Sequence, residues 1–345
     1  MIPVAVAKYD ILKKKAFYVI HPSFDDNGDN MIDKYRGCLF GLAVGDALGA
    51  PVEFLSLKSI KEQYGGRGII DFHEWGGFKA GSYTDDTQMA LATAKGCLRY
   101  LRNRNINEHA PSSVVYKFYL KWLETQKDPF NFRAPGNTCL RSLMSGKMGT
   151  IEIRINNSKG CGGVMRTALV GLIFPPGEAF QMGAEFGAIT HGHPSGYLPA
   201  GYIAELVAWL IEGKGLIKAV EHSIERLRAY KEHEEVLEMI KLAQELAVSD
   251  NAVEKCISII GEGWVGEEAL GISMYCSLKF PGDFEKGVVA AVNHSGDSDS
   301  TGAITGAILG TLNGIRGIPD KWVREVEDSK EIKRIAEEMY EIRYN

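Results

Sequence analysis

This chain of 345 residues has few cysteines, no long apolar run and no excess of positive charge. Each of these features argues against a class of protein. The six cysteines form no CxxC pair, which argues against a zinc finger or a thioredoxin-type site. No uncharged apolar stretch reaches about 18 residues, so we expect no membrane span. A net charge of −5 offers no general basic surface to nucleic acid or to an anionic membrane. The apolar run at the N-terminus precedes its basic cluster, the reverse of a signal peptide, so we expect a cytoplasmic protein with reduced thiols.

Alternating strand patterns are also rare, whereas helical patterns recur along most of the chain. Apolar residues follow the i, i+3, i+4 spacing of an amphipathic helix in segments that begin near residues 85, 195, 233, 265, 283 and 322. A further helix is predicted for "VMRTALVGLIF", which follows a glycine-rich segment. We therefore predict an all-α fold, with a compact multi-helix domain over residues 31–345 and a short N-terminal extension over residues 1–30.

Glycine is plentiful in two segments, where it recurs at every fourth position. One segment is "GCLFGLAVGDALG", which begins at Gly37, and the other is "GAITGAILGTLNG", which begins at Gly302. Every fourth residue lies close to one face of a helix. Each interior glycine costs a helix about 1 kcal/mol relative to alanine, and close helix–helix approach would compensate for that cost. We predict two central helices whose backbones pack tightly, against each other or against neighbours.

Oxygen-bearing side chains are concentrated at two predicted helix starts. The first is "TDDT", from Thr84, and the second is "GDSDSTG", residues 296–302. Each could be a simple N-cap, Thr84 for the first helix and Asp299 or Ser300 for the second, because a side-chain oxygen before a helix accepts a backbone hydrogen bond. The second turn has more oxygens than a cap uses, and an extended backbone would point Asp297 and Asp299 the same way. Converging carboxylates without a basic neighbour favour a hard divalent cation.

Two other segments carry weaker signals. Glycines in "NNSKGCGGVMR", residues 156–166, allow close backbone approach, and the amides that begin the predicted following helix could receive a phosphate. A single glycine-rich loop is weak evidence for that role. A lone histidine, such as His191 in "ITHGHP", is more often a hydrogen-bonded structural residue than a general base.

These segments occur together and in a fixed order. The chain contains "GLAVGDALGAPVEF", "GSYTDDTQMA", "KGCGGVMR", "THGHP", "GWVGEEAL" and "GDSDSTGAITGAILG". With this combination it resembles the ADP-ribosylglycohydrolase family over roughly residues 34–318. The resemblance implies an all-α fold that holds two divalent ions, usually magnesium or manganese, in a cleft. It also implies removal of ADP-ribose from a modified side chain.

The resemblance further implies roles for residues at matching positions. The implied metal ligands are Thr84, Asp85, Asp86, Asp297, Asp299 and Ser300. The implied contacts to ADP-ribose are Ser158, Gly160, Cys161, Gly162, Met165 and His191. Glu53 and Asp86 are the implied catalytic residues, either of which could accept a proton. The family commonly has asparagine where this chain has Cys161. We expect Asp46 to support the site or to cap a helix, and Trp264 to line the adenosine side or to lie in the core.

Two functions follow from the resemblance. The first is hydrolysis, with two Mg²⁺ or Mn²⁺ ions, of the N-glycosidic bond between ADP-ribose and an arginine side chain of a modified protein. The alternative is an immunity protein that also binds and occludes an ADP-ribosyltransferase toxin through residues 1–30, where basic and aromatic side chains are mixed. A catalytically silent scaffold is disfavoured, because both acidic sets are intact.

Overall fold

The computed structural model describes residues 28–103 and 110–344, with the side chains of residues 28–30 left out. Within these ranges the chain forms α-helices, two short 3₁₀ turns and two isolated β-bridges, but no strand. The prediction of an all-α fold is confirmed. The predicted partner-binding role of residues 1–30 falls almost wholly outside the described residues.

The described ranges contain sixteen α-helices. They are α1 (Gly28–Gly49), α2 (Leu57–Tyr64), α3 (Asp85–Arg102), α4 (Pro111–Thr125), α5 (Asn137–Met144), α6 (Val170–Ile173), α7 (Glu178–Ala188), α8 (Pro194–Ile211), α9 (Leu216–Leu227), α10 (Glu234–Ala247), α11 (Val253–Ile260), α12 (Gly266–Lys279), α13 (Phe284–Val292), α14 (Ser298–Asn313), α15 (Asp320–Glu325) and α16 (Ser329–Tyr344). Helices α8, α12 and α14 are buried along almost their whole lengths. No helix among the described residues is long and apolar enough to cross a membrane.

The two glycine series lie on α1 and α14, which pack against each other in antiparallel directions. A Cβ atom added to Gly41 would overlap the carbonyl oxygen of Gly306, and one added to Gly306 would overlap that of Gly41. Gly45 and Gly302 face each other in the same way. The absence of side chains therefore brings the two backbones into direct contact, as predicted for a central helix pair.

Two helix predictions are wrong in their extent. The segment after Gly163 forms consecutive tight turns with i to i+3 hydrogen bonds, and only Val170–Ile173 is an α-helix. A Cβ atom on Gly163 would lie 2.5 Å from the Gly196 carbonyl oxygen, so the chain is held close to α8 at this point. The fully buried Arg166 side chain also donates to the Phe186 carbonyl at 3.1 Å, which fixes the turns against α7.

The C-terminal pattern predicts one helix over residues 322–343, but the structure divides it into α15 and α16. Asp328 between them adopts a φ of 52°, which interrupts a right-handed helix. The Glu327 amide donates to the Gly81 carbonyl at 2.9 Å, and the Tyr83 hydroxyl donates to the Asp328 carboxylate at 2.7 Å. These contacts join the break to the loop before α3.

Candidate active site

The two oxygen-rich turns begin α3 and α14. Thr84 caps α3 as predicted, whereas α14 is capped by Asp297 and not by the predicted Asp299 or Ser300. The Thr84 hydroxyl accepts a hydrogen bond from the Asp86 amide at 3.2 Å. The Asp297 carboxylate accepts one from the Ser300 amide at 3.3 Å. Capping accounts for Thr84 and Asp297 but leaves the other carboxylates at these turns unexplained.

Asp46 joins the start of α3 to the central helix pair. Its buried carboxylate accepts hydrogen bonds from the amides of Thr84 and Thr87, each at 2.9 Å, and from the Thr87 hydroxyl at 2.6 Å. Asp46 follows Gly45, which packs against Gly302 of α14. Direct backbone contact between the two central helices thus positions the start of α3 beside the start of α14. These hydrogen bonds connect distant parts of the chain, so of the two roles expected for Asp46 they fit support of the site and not a local cap.

Carboxylates from the two turns lie close enough to repel one another. Burial, and after it the charge of Asp299, raises the pKa of both Asp85 and Asp86 well above the ordinary aspartate value. Burial, and after it Asp297, raises the pKa of Asp299 in the same way. Residues of α3 and of α14 are also in contact with one another. The two acidic clusters therefore meet, a point that the sequence leaves open.

The backbone at Asp297–Asp299 differs from the predicted extended segment. Asp297 is the N-cap residue and Asp299 already lies in the first turn of α14. The Asp297 carbonyl accepts hydrogen bonds from the Thr301 amide at 3.3 Å and the Thr301 hydroxyl at 2.8 Å, which bring the chain into helical geometry at once. The prediction of an extended backbone is wrong, yet the two carboxyl groups still lie close enough for the charge of Asp297 to raise the pKa of Asp299. Both accept a hydrogen bond from the Ser300 amide.

Glu53 lies in the turn after α1, and its carboxyl group faces the same acids. Its amide donates to the Gly49 carbonyl at 3.0 Å, and the next residue, Phe54, adopts a φ of 68° that L-amino acids rarely adopt. Burial, followed by the charges of Asp299 and Asp297, raises the pKa of the Glu53 carboxyl to about 12. Glu53 is therefore a neighbour of the acidic clusters rather than an isolated surface acid.

The chemistry of this donor set suits a hard divalent cation. Carboxylate and hydroxyl oxygens are the ligands that Mg²⁺ and Mn²⁺ prefer, and a cation would relieve the repulsion between the acids. Asp86 is only 2% exposed, and its Oδ2 has no hydrogen-bond partner in the described part of the chain. Across the described ranges, however, no three His, Cys, Asp or Glu side chains are arranged to hold one ion, so binding requires carboxylates to rotate. The two-ion site stays a prediction.

Cys161 brings the glycine-rich loop to the acids. Its thiol donates to the Asp297 Oδ2 atom across 2.7 Å, and the Ser300 hydroxyl donates to its sulfur across 3.7 Å. The same hydroxyl lies 4.0 Å from the sulfur of Met165, which is buried beneath the loop. These contacts place two predicted ADP-ribose contacts, Cys161 and Met165, directly beside two predicted metal ligands.

The backbone of the loop is held in place by local hydrogen bonds. The Gly160 amide donates to the Ser158 hydroxyl at 3.2 Å, and the Cys161 amide donates to the Trp264 carbonyl at 3.2 Å. These two amides already have acceptors. A 3₁₀ turn, Cys161–Gly163, stands where the sequence predicts a helix N-terminus for a phosphate. The structure therefore has no helix N-terminus here that could bind a phosphate. The prediction that the loop contacts the diphosphate of ADP-ribose rests on the family resemblance alone.

His191 lies under the loop and supports it. A Cβ atom on Gly160 would lie 3.2 Å from the His191 Nε2 atom, and one on Gly162 would lie 2.9 Å from its Cε1 atom. The ring is 1% exposed, and its Nδ1 is hydrogen-bonded to the Thr190 hydroxyl at 2.8 Å. Burial, and secondarily the charge of Arg166, lowers the pKa of His191 to about 3. The imidazole is therefore neutral, and its contact with a ligand stays a prediction.

Arg133 is a residue of the site that sequence reasoning misses. Its side chain donates to the Tyr83 carbonyl at 3.0 Å and to the Glu327 carboxylate at 2.9 Å. Its own carbonyl accepts a hydrogen bond from the Asp85 amide at 3.1 Å. Arg133 thus fixes the first residue of α3 from a loop in which no period or spacing signals such a role.

Trp264 is the residue whose location the sequence leaves open. Its ring is 37% exposed and stacks on Phe54 with 5.3 Å between ring centroids. The core interpretation is wrong, because the partner ring of Phe54 is itself 68% exposed. The two aromatic rings form a surface beside Glu53, and the contact of Trp264 with adenosine stays a prediction.

We compared the sequence and the fold with those of known proteins. A sequence model of the ADP-ribosylglycohydrolase family matches residues 27–345, almost the whole chain. The chain belongs to the ADP-ribosylglycohydrolase family. As an ADP-ribosylglycohydrolase, it is a hydrolase that removes ADP-ribose from modified protein substrates.

Individual ADP-ribosylglycohydrolases match over similar lengths. The ADP-ribosyl-[dinitrogen reductase] glycohydrolase of Rhodospirillum rubrum is 27% identical, over 89% of this chain and 95% of the relative. The ADP-ribosylarginine hydrolase Tri1 of Serratia proteamaculans is 24% identical, over 90% of this chain and 79% of the relative. A solved structure titled as an ADP-ribosylglycohydrolase-related protein complex has a TM-score of 0.69 at 23% identity, with 91% of this chain and 99% of that chain covered. The fold is therefore that of the family.

Proposed function

We propose that this ADP-ribosylglycohydrolase is a metal-dependent ADP-ribosylarginine hydrolase, which cleaves the N-glycosidic bond between ADP-ribose and an arginine side chain. The observation that carries the proposal is the convergence of the buried acids of α3 and α14 with the partly buried Glu53. A dense cluster of carboxylates suits a substrate whose linked group is a guanidinium cation. The preference for arginine is also supported by the likeness to a relative that is named for this substrate.

Two Mg²⁺ or Mn²⁺ ions would be held by the oxygen ligands at the two helix starts, namely Thr84, Asp85 and Asp86 on one side and Asp297, Asp299 and Ser300 on the other. Bound there, the ions would supply charge stabilisation and a water of lowered pKa. The protein supplies the proton acceptor. The unpartnered Oδ2 of Asp86 is one candidate, and the Glu53 carboxyl group is the other. The departing guanidine is strongly basic and needs little help to take up a proton.

The glycine-rich loop would orient the rest of the substrate. Cys161 contacts Asp297, so a diphosphate held along Ser158–Gly162 would leave the attached ribose next to the acids. His191 keeps this loop in position, and its pKa, lowered to about 3 by burial, makes it a weak acceptor for a proton. Orientation of this kind matters because a small misplacement of the reacting carbon costs a large fraction of the rate.

The proposal is tested by incubating the full-length protein and Mg²⁺ with three ADP-ribosyl peptides, linked through arginine, serine and aspartate. We expect release of ADP-ribose from the arginine peptide, with loss of release when EDTA is added. Release from the serine or aspartate peptide alone would overturn the arginine assignment. Full release from the arginine peptide in EDTA would overturn the metal assignment.

A matched pair of aspartates separates chemistry from helix capping. Asp297 and Asp283 both cap helices with their side chains, but only Asp297 lies among the acids. Each change to alanine removes a cap worth about 1 kcal/mol. We expect Asp297→Ala to lower turnover by about 10²-fold or more and to abolish tight Mg²⁺ binding in calorimetry. Asp283→Ala should keep both. Full turnover in Asp297→Ala would contradict the site.

A further inference from the structure

Lys159 joins the glycine-rich loop to the starts of several helices. Its ammonium group lies 2.6 Å from a Glu235 carboxylate oxygen and 3.0 Å from a Glu267 oxygen. Glu235 is the second residue of α10 and Glu267 the second residue of α12, positions where negative charge stabilises a helix. The same Glu235 oxygen accepts a hydrogen bond from the hydroxyl of Ser195, in the first turn of α8, at 2.5 Å. One side chain thus ties the loop to three helices.

The two ion pairs of Lys159 differ in burial, so they differ in how firmly they hold the loop. The Glu235 side chain is 53% exposed, and ion pairs of this kind contribute little. The Glu267 side chain is only 10% exposed, and its Oε2 atom has no hydrogen-bond partner in the described part of the chain. Removing Lys159 would leave this buried carboxylate without its cation, which is costly. The pair with Glu267 is therefore the one that fixes Lys159.

The backbone of Lys159 is also attached to α12. The Gly266 amide donates to the Lys159 carbonyl at 2.7 Å, and Gly160 and Val265 form an isolated β-bridge. A surface cavity of about 310 Å³ borders the Lys159 side chain, so close packing does not fix its position. The ion pair with Glu267 therefore adds a side-chain contact to the backbone contacts that align the loop with the start of α12.

The loop beyond Lys159 reaches the acids of the site, whereas the acids are held by other contacts. Two residues after Lys159, the Cys161 thiol donates to the Asp297 carboxylate across 2.7 Å. The Asp297 amide, however, donates to the Glu262 carbonyl at 2.8 Å, and Asp46 holds the start of α3. A shift of the loop at Lys159 should therefore change what lies beside the acids while leaving the acids in place.

We propose that Lys159 is a positioning residue, which acts through Glu267 to hold the glycine-rich loop in the conformation that binds ADP-ribose. It thereby sets the affinity for the substrate more than the rate of bond cleavage. The inference rests on the role of this loop in the proposed function. A lysine that instead contacted the diphosphate directly would not need Glu267, and the ammonium group would be freer to bind when that carboxylate is neutralised. The two roles therefore predict opposite effects of a change at Glu267.

Calorimetry with free ADP-ribose, full-length protein and Mg²⁺ measures the affinity. Lys159→Met should lower it by about 10-fold. Glu267→Gln should lower it by a similar factor, because Lys159 then loses its buried partner. The double variant should bind within about twofold of either single variant, since both changes remove the same contact. Lys61→Met removes a lysine whose side chain is also 33% exposed and which pairs with Glu254, so it should keep the wild-type affinity.

Hydrolysis of an ADP-ribosylated peptide separates positioning from a general loss of structure. Lys159→Met should raise KM by about 10-fold and lower kcat by a smaller factor, because the acids keep their own contacts. A variant that is merely unfolded in part would lose kcat and keep KM. If Lys159→Met fails to fold because Glu267 is left unpaired, the double variant replaces it, since it removes both charges of the buried pair.

The outcomes separate this inference from the proposed function. Wild-type affinity for ADP-ribose in Lys159→Met or in the double variant would overturn the positioning role. Unchanged or higher affinity in Glu267→Gln would also overturn it and would show that Lys159 contacts the diphosphate itself. In each of these cases hydrolysis by the wild-type protein and its metal dependence stand. Absence of ADP-ribose binding by the wild-type protein would overturn the role of the loop in the proposed function, and this inference with it.

Discussion

At the scale of single residues, the buried His191 makes the free energy of unfolding depend on pH. Its pKa is lowered to about 3 in the folded protein, against 6.5 ordinarily, because the ring is buried beside Arg166. The unfolded state therefore binds the extra proton first, and stability falls as the pH drops from 6.5 toward 3. At pH 5 this group alone should reduce the free energy of unfolding by about 2 kcal/mol.

Urea unfolding at pH 7.5 and pH 5.0 measures this effect. His191→Gln should show a smaller loss of stability on acidification than the wild-type protein, by about 2 kcal/mol. His222→Gln, which removes a partly exposed histidine from α9, should keep the wild-type loss. An unchanged pH dependence in His191→Gln would mean that the pKa of the buried ring is close to its ordinary value.

Which site residues the sequence predicts depends on how local their causes are. Thr84 is predicted as a cap because a cap needs only the residue and the helix that follows it. The cap of α14 is predicted two or three residues too late, at Asp299 or Ser300, because the pattern does not show that the helix begins directly after Asp297. Glu53 and Arg133 owe their places to contacts with acids and loops far away along the chain, so nothing near them in the sequence signals a role. The meeting of the two acidic clusters is likewise a tertiary event.

At the scale of elements, the antiparallel contact between α1 and α14 is the feature that the glycine spacing predicts best. Gly306→Ala adds a methyl group against the Gly41 carbonyl, and backbone is unable to move aside as a flexible side chain does. We expect a loss of about 3 kcal/mol in the free energy of unfolding, at the upper end of overpacking costs and despite the gain in helix propensity. Urea unfolding measures it.

The control is a glycine with open space around it. A Cβ atom on Gly66, in the turn after α2, would have no neighbour within 4 Å, so Gly66→Ala should leave stability almost unchanged. Gly306→Ala should also lower hydrolysis, because the starts of α3 and α14 are positioned through the same helix pair. Equal stability of the two variants would contradict direct backbone contact between α1 and α14.

Elements whose ends depend on tertiary contacts are predicted less well than the central pair. The chain after Gly163 has an apolar pattern suited to a helix, yet contacts with α7 and α8 hold it in tight turns. Residues 322–343 have a continuous helical pattern, yet two hydrogen bonds, from the Tyr83 hydroxyl to Asp328 and from the Glu327 amide to the Gly81 carbonyl, stabilise a break at Asp328. In both cases the spacing of apolar residues indicates which side chains are buried, but it does not show where tertiary contacts interrupt the helical backbone.

At the scale of the whole molecule, the acids that repel one another come from distant parts of the chain. Asp46 and Glu53 lie near its beginning, Asp85 follows about thirty residues later, and Asp299 lies near its end. Folding alone brings these charges together, so their repulsion opposes the native state and is absent from the unfolded one. A cation that binds only the folded arrangement should therefore stabilise the entire domain.

We expect Mg²⁺ to raise the free energy of unfolding by about 2.7 kcal/mol at one hundred times its dissociation constant, since the unfolded chain lacks the site. Thermal unfolding with Mg²⁺, and with KCl at the same ionic strength, separates specific binding from general screening of the charges. Only Mg²⁺ should raise the midpoint substantially, and EDTA should reverse the rise. Asp297→Ala should abolish this difference between the salts, whereas Asp283→Ala should preserve it. Equal stabilisation of the wild-type protein by both salts would show that the acids are screened without a bound ion.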